Sequence, residues 1–370
     1  MHLPLLLLRL GLSALPALGP RPGRYYDFVL AALGREKIDV LLPSHEQALI
    51  FSRKLPELGS KVAVALPAYE SYLELFSKTR FMRLLARLGL SFPPTGIYRS
   101  EGEALSWDGF PCYLKTEYGT ASAGVWRAES RSEYEAALAQ PRVRETLASG
   151  GSILAQEAAP GRLEIAYAAF RHGELVALHC SRRLKEGARG SSSVKVGVDR
   201  PVVRSHFESL GENLAWHGPL AVDYLYEDAT GIPRYIDASP RLVEPMNAYA
   251  NGVDLVEAQV LISLGRDAPR SFGTKGVRTH MEMLALLRAA ERGTRRAVLS
   301  EALAIAKREG EYRGSGEELS PAGIDPWSTL PLALVASRLL LSPRSAAKIS
   351  GGAVGDYAMT ESAIREIDAM

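Results

Sequence analysis

The stretch Leu220-Ala221-Val222-Asp223-Tyr224-Leu225-Tyr226-Glu227-Asp228-Ala229-Thr230-Gly231-Ile232-Pro233-Arg234-Tyr235-Ile236-Asp237-Ala238-Ser239-Pro240-Arg241 decides the reading of this chain. Apolar and aromatic residues fill Leu220 to Tyr226 and Arg234 to Ala238, and Glu227 to Gly231 between them is turn chemistry. The pattern predicts two adjacent strands with Asp223 and Asp237 on one face. A carboxylate inside an apolar strand costs free energy unless it is paired or holds a cation. Two of them side by side suit a hard divalent ion, which takes oxygen ligands and keeps several waters.

Upstream, Glu164 to Phe170 and Glu174 to His179 read as a hairpin turning at His172-Gly173. Cys112-Tyr113-Leu114-Lys115 is a strand, Tyr118-Gly119-Thr120-Ala121-Ser122-Ala123-Gly124 a small-residue loop, and Val125-Trp126 a resumed strand. Ser130 to Leu138 is a helix with Ser132 as its cap, and Ser152 to Glu157 is another strand. Phe76 to Leu88 is an amphipathic helix with Phe81, Leu84, Leu85 and Leu88 on one face, closed by Gly89. Further back, Ile38 to Pro43 and Val62 to Pro67 read as strands flanking a helix through His45 to Leu55, a small and incomplete α/β unit. Downstream, helices are expected over Pro201 to Trp216, Val253 to Ser263, Met281 to Arg292 and Arg296 to Glu309. The fold class is therefore α/β (α+β), divided at about 1–75, 76–268 and 269–370.

The composition bounds the function. There are 44 basic and 42 acidic residues, and no basic stripe interleaved with aromatics, so nucleic acid and anionic membrane are not expected partners. Cys112 and Cys180 sit among apolar neighbours and read as small buried hydrophobes in a reducing, cytoplasmic setting. The leucine run MHLPLLLLRLGLSALPALGP at 1–20 resembles a signal peptide, but it lacks a charged start and Arg9 splits it. A helix of the first unit or a misplaced start is the preferred reading. No Ser/His/Asp or Cys/His arrangement argues for a covalent protein intermediate.

The segment from about Ser77 to Gly265 resembles the ATP-grasp superfamily, nearest its carbamoyl-phosphate-synthase-like and carboxylate–amine ligase branches. The resemblance rests on the order and spacing of several motifs over about half the chain. It implies that Lys115, after its apolar strand, and Lys78, before the amphipathic helix, face nucleotide phosphates. Tyr118, Gly119, Thr120, Ala121 and Ser122 would close over the nucleotide, where small residues let backbone N–H groups approach an anion. Gln156-Glu157-Ala158-Ala159 would be the hinge that pairs with the adenine edge, and Glu164 the acid for the ribose hydroxyls. Asp223, Asp237 and Ser239 would hold Mg²⁺ or Mn²⁺, and Arg241 would meet the transferring phosphoryl group. Arg183 and Lys185 would contact phosphate or the substrate carboxylate; Glu244 and Asn247 would reach the second substrate.

The family usually has Glu-x-Asn before Pro-Arg, whereas this chain has Asp237-Ala238-Ser239. The shorter acid and the neutral hydroxyl leave two readings. One is a Mg-ATP ligase joining a small-molecule carboxylate to an amine or ammonia through an acyl-phosphate. The other is a degenerate module that binds nucleotide with little or no turnover. Residues 270–370 match no chemistry and are left as a helical cap, a substrate lid or a homodimer contact.

Overall fold

A computed structural model of the chain describes residues 21–120, 122–355, 359 and 361–370. The leucine run at 1–20 lies outside the described residues. Among these residues two sheets form. The smaller joins β1 (Thr95–Tyr98), β2 (Cys112–Thr116), β3 (Val125–Ala128) and β4 (Ile153–Glu157) in the order β1-β4-β2-β3, all antiparallel. One of its faces is covered by helices Arg131–Leu138 and Pro141–Ala148, burying Leu114, Tyr134, Val143 and Ile153. Ser130, not Ser132, caps the first of these helices, accepting from the Glu133 N–H at 3.4 Å.

The larger, eight-stranded sheet contains β5 (Arg162–Arg171), β6 (Glu174–Glu186), β7 (Ser192–Val198), β8 (Gly218–Glu227), β9 (Ile232–Ser239), β10 (Ser271–Phe272), β11 (Arg278–His280) and β12 (Gly316–Glu317). Its order is β12-β11-β7-β6-β5-β8-β9, with β10 added to β6. The predicted hairpin is β5–β6; its turn places His172 at φ 48° and Gly173 at φ 93°, the left-handed pair that a two-residue turn requires. The predicted pair around the turn at 227–231 is β8–β9.

Alternation along the strands gives this sheet two chemically different faces. On one, Ala166, Ala168, Phe170, Cys180, Val222, Tyr224 and Tyr235 pack into the main core with Phe207, Trp216, Tyr72 and Phe81. On the other, Tyr167, Ala169, Ala177 and Ala221 meet helix Leu255–Ser263, which Asp254 caps by accepting from Glu257 N–H at 2.8 Å. Burial pushes the Cys180 thiol up to about 12, and Cys112 is buried as well, so both behave as hydrophobes.

The N-terminal part differs from expectation in two ways. The two predicted strands meet only at one parallel bridge, Val40 to Ala63, with hydrogen bonds of 2.9 and 3.1 Å. Pro43 and Pro67 end each apolar run, and a two-segment pairing this short gains little from a ladder. The predicted helix from Phe76 breaks at Ser77, which adopts an extended conformation between helices Tyr69–Phe76 and Lys78–Arg87. Its hydroxyl accepts from the Arg80 N–H at 3.1 Å, so the break is a cap. That cap points the first turn of helix 78–87 at the space between the sheets.

Beyond residue 270 the chain is mostly helical, as expected, but it also supplies β10, β11 and β12 to the sheet edge. Helix Glu361–Asp368 returns to the N-terminal helices. Met359 N–H donates to Glu46 at 2.6 Å, and Arg365 donates to the Ser149 carbonyl, after helix 141–148, at 2.6 Å. Among the described residues no helix is long and apolar enough to cross a membrane.

Glu164 is fully buried on the core face. It accepts from Arg182 Nε at 2.7 Å, from Arg200 at 2.7 and 2.8 Å, and from the Tyr224 hydroxyl at 2.9 Å. A carboxylate this enclosed is tolerable only because every lone pair is used. Glu164→Ala should strip the buried carboxylate from Arg182 and Arg200, leaving only the exposed Asp228 as their acid, and destabilise the fold by about 3–5 kcal/mol. Urea unfolding measures it, and a loss below about 1 kcal/mol would mean the cluster is not structural.

Candidate functional site

Asp223 and Asp237 are direct partners in the β8–β9 register, so their side chains leave the sheet on one face, as predicted. Immediately beside them the register shifts: Tyr224 pairs with Tyr235, and Ile236 has no partner in β8. This bulge frees the Ile236 carbonyl, which accepts from Lys115 Nζ at 3.0 Å. The irregularity therefore brings a cation from the smaller sheet to within reach of the carboxylate pair.

Lys115 is only 7% exposed and donates also to Gln156 Oε1 at 2.7 Å. Gln156 is itself fixed by donating to Thr95 Oγ1 at 2.9 Å and to Met82 Sδ at 3.4 Å. Burial pulls the Lys115 ammonium down to about 8, with Asp237 and Asp223 opposing that fall and Lys78 adding to it. Lys78, 5% exposed at the start of its helix, stands 3.4 Å from Asp237 Oδ1 and donates to the Gly119 carbonyl at 3.3 Å. Asp237 Oδ1 also accepts from the Ala238 N–H at 3.0 Å.

Asp223 has the strongest tension of the group. Burial raises its carboxyl to about 7, and the neighbouring Asp237 and Glu244 carboxylates add to the rise; Lys115 and Arg241 offset only part of it. Like charges held together with incomplete compensation are what a divalent cation relieves, so the donor set fits Mg²⁺ or Mn²⁺.

The glycine loop reaches across the same space. Thr116 Oγ1 donates to the Tyr118 carbonyl at 2.8 Å, the Thr120 carbonyl accepts from Ala123 N–H at 2.9 Å, and the Tyr118 ring lies 5.4 Å from Phe76. A Cβ on Gly119 would stand 2.3 Å from the Ala123 carbonyl, so this tight turn excludes side chains. Ser122, at φ 61°, donates to the Arg189 carbonyl at 3.0 Å and ties the loop to the end of β6–β7. Ala121 lies outside the described residues. At the hinge, Glu157 N–H already donates to Pro94 at 2.9 Å and Ala158 N–H to Pro111 at 2.8 Å. Two of the four predicted hinge residues therefore have their N–H groups already engaged within the smaller sheet.

Past β9 the chain turns through Pro240, with Arg241 N–H donating to the Ser239 carbonyl at 2.7 Å. Ser239 sits opposite Ala221, one pleat from the aspartates on the same face. The Arg241 guanidinium acts on Asp223 and on His45 and Glu46 of the N-terminal part. Burial, helped by Arg241, holds His45 down to about 4 and hence neutral. Burial raises Glu46 against the pull of Met359 N–H, Arg241 and Lys78. Sequence reading missed both: nothing in Ser44-His45-Glu46 marks it without knowing that residues 45 and 241 meet.

Lys195 was missed as well. It is a lysine flanked by valines in β7, and it is buried with Nζ 2.6 Å from Glu244 and 3.2 Å from Glu318. That alternation was the available signal. Asn247 donates to Thr279 Oγ1 at 2.6 Å and bonds His179 Nε2 at 2.7 Å, supporting the same face from behind.

Two predicted residues are not brought here. Glu164 projects from the core face, opposite to Asp223, because one residue along β5 reverses the side chain; it is consumed by Arg182 and Arg200. Lys185 pairs with Glu301 of helix Arg295–Ala306 and lies over the Tyr312 ring, because the bulges after Arg183 turn it toward the C-terminal helices. Arg183 stays on the site face, opposite Lys195, and donates to the Gly190 carbonyl at 2.9 Å.

No family model matches the sequence. Acetyl-CoA carboxylase 1 of Arabidopsis thaliana is 27% identical over 167 residues, which is 42% of this chain and 7% of that protein. Among solved structures, biotin carboxylase of Campylobacter jejuni, complexed with β,γ-ATP, aligns over 65% of this chain and 58% of its own, with 16% identity and a TM-score of 0.55. The biotin carboxylase domain dimer of Hydrogenobacter thermophilus 2-oxoglutarate carboxylase, with MgADP and bicarbonate, aligns over 68% and 60% at 17% identity and TM-score 0.55. Carboxyaminoimidazole ribonucleotide synthase of Aspergillus clavatus, complexed with ATP, aligns over 78% and 79% at 12% identity and TM-score 0.52. The chain thus spans about three fifths of the two biotin carboxylases it matches, and identities this low speak to architecture. That architecture, two sheets facing each other across Lys78, Lys115, Asp223 and Asp237, is the ATP-grasp fold.

Proposed function

We propose that the chain is a Mg-ATP-dependent ligase that activates a carboxylate as an acyl-phosphate and transfers it to an amine or ammonia, releasing ADP and phosphate. The observation that carries this is the convergence of Asp223 and Asp237 with Lys78 and Lys115 from the opposite wall. The units at 1–75, 76–268 and 269–370 are part of the proposal, with the smaller sheet as the lid.

Mg²⁺, held by Asp223 and Asp237 with Ser239 beside them, would supply charge neutralisation on the triphosphate. The chain's own groups do the rest. Lys115 and Lys78 orient the phosphates, Gly119 to Ser122 exclude water from above, and Ala159 with the Glu157 carbonyl reads the base. Arg241, with Arg183 across the sheet, spreads charge on the phosphoryl group and the substrate carboxylate. Glu244, which also pairs with Lys195, is the acid close enough to Asp223 to stabilise a cationic amine there. Ser239 and the Lys78 contact at Asp237 Oδ1 favour the second reading, nucleotide binding without turnover.

Three outcomes test these proposals. ADP release from Mg-ATP, with hydroxylamine trapping an acyl-phosphate, should appear for at least one carboxylate in a substrate panel. Nucleotide that raises the melting temperature without ADP formation on any carboxylate selects the second reading, and nucleotide that does neither rejects both. Asp237→Asn should lower kcat by about 10²–10³-fold, the usual scale for losing one group that stabilises transition-state charge; a steady-state assay at saturating Mg-ATP reads it.

Asp223→Asn should stabilise the ligand-free protein while abolishing turnover. The folded carboxyl lies near 7 against an ordinary 3.8, so folding favours its protonated form. The resulting cost is absent below about the unfolded value, grows as pH rises between the two, and is complete above 7. The variant should therefore melt above the parent at pH 8, with the gap closing toward pH 4–5. An equal or lower melting temperature at pH 8 would contradict the assignment of Asp223 as an uncompensated charge.

A further inference from the structure

A second group of ligating side chains lies on the other side of the sheet edge. β11, the first turn of helix Glu282–Glu291 and β12 bring His280, Glu282 and Glu317 together, with one ligand atom from each all within 4.8 Å of one another. Thr279, the residue before, faces Glu318 and the Lys195 network, so His280 points away from the carboxylate pair at Asp223.

The hydrogen bonding fixes the ring. His280 is 7% exposed, and its Nδ1 lies 2.8 Å from Ser315 Oγ. That hydroxyl gives its own proton to the Tyr312 carbonyl at 2.8 Å, so Nδ1 is the protonated nitrogen and Ser315 the acceptor. Nε2 then presents a lone pair toward Glu282 Oε1 at 3.7 Å and Glu317 Oε2 at 3.6 Å. Three electron-pair donors facing one another repel unless a cation lies among them. A proton on Nε2 is too far from either carboxylate for a hydrogen bond. Ligands on a tetrahedral metal with bonds near 2.1 Å stand roughly 3.4 Å apart, close to the two distances from Nε2 to the carboxylates.

The surroundings resemble a built site. Ser315 orients the imidazole from behind, as outer-shell partners of metal-bound histidines do. Glu317 is held by the N–H groups of Glu282 at 2.9 Å, Leu319 at 3.0 Å and Ser320 at 3.2 Å. The Glu282 side chain, 29% exposed, leaves an entrance. An imidazole with two carboxylates suits Zn²⁺ better than Mg²⁺ or Ca²⁺, which prefer oxygen alone.

We propose that His280, Glu282 and Glu317 form a Zn²⁺-class site with an open fourth position, pinning helix 282–291 to β11 and β12. It is separate from the proposed nucleotide site and does not depend on it.

The test uses the tag-free full chain carrying Asp223→Asn and Asp237→Asn, so that the candidate Mg²⁺ site is silent, stripped with a chelator and desalted. Titration with Zn²⁺ in a calorimeter should give one ion per chain and a raised melting temperature. Co²⁺ should give the visible absorption of a four-coordinate ion, and Zn²⁺ should displace it. Adding Glu282→Gln should weaken Zn²⁺ binding at least tenfold, and adding His280→Ala should remove it along with the Co²⁺ spectrum. If the His280 variant fails to fold, the Glu282 variant decides. Absence of stoichiometric Zn²⁺ uptake, or uptake unchanged by Glu282→Gln, overturns the site.

Discussion

The register between β8 and β9 is the constraint on which the rest of this molecule depends. Side chains alternate along a strand, so a slip of one residue would send Asp237 into the core with Tyr235 and Tyr224. The turn at 227–231 and the bulge at Ile236 hold that register. The same bulge turns a backbone carbonyl toward Lys115, so a defect in one ladder becomes the contact between two sheets. The core face is fixed with equal firmness by Glu164, whose partners come from β6, β8 and the start of helix Pro201–Leu214. One face of the sheet is thus committed to stability and the other left in electrostatic tension.

That tension has a direction. Asp223 is pushed toward neutrality by burial and by Asp237 and Glu244, while Lys115 is drawn down by burial. Neither charge is at rest without something between them. A divalent ion answers the carboxylates, and a polyphosphate answers the lysines, so the two ligands suit each other as well as the protein. Lys195 shows the contrasting arrangement: the same burial is overcome by Glu244, Glu318 and the Tyr167 ring, and its ammonium is held well above the ordinary lysine range. Lys195 therefore holds the floor of the site in place, while Lys78 and Lys115 stay within reach of a ligand.

Much of this was legible in the sequence where local pattern and chemistry coincide. The turn at 227–231, the hairpin at His172-Gly173 and the carboxylate pair follow from alternation and turn residues. Lys78 and Lys115 came from resemblance, and the structure brings both to the pair. Glu164 was misread because motif spacing counts residues, whereas a strand assigns faces by parity. Lys185 was misread because bulges reset that parity, and no residue type between Arg183 and Glu186 announces them. Glu46 and the His280 cluster depend on pairings between distant segments, for which a single sequence has no local signal, whereas Lys195 between two valines carried one in strand alternation. The expected strands at 38–43 and 62–67 dwindled to a single bridge because β pairing needs neighbours, not only propensity.

The last helix, 361–368, also bears on motion. It grips the N-terminal helices through Ile364 and Ile367, and it holds the smaller sheet's flank through Arg365 and the Ser149 carbonyl. The smaller sheet is thereby tied on its far side to the same helix that packs on the N-terminal helices. Moving the smaller sheet away would break this charge-assisted hydrogen bond together with those of Lys115 to the Ile236 carbonyl and of Ser122 to the Arg189 carbonyl. Segments 145–151 and 361–368, remote in sequence, meet at that flank.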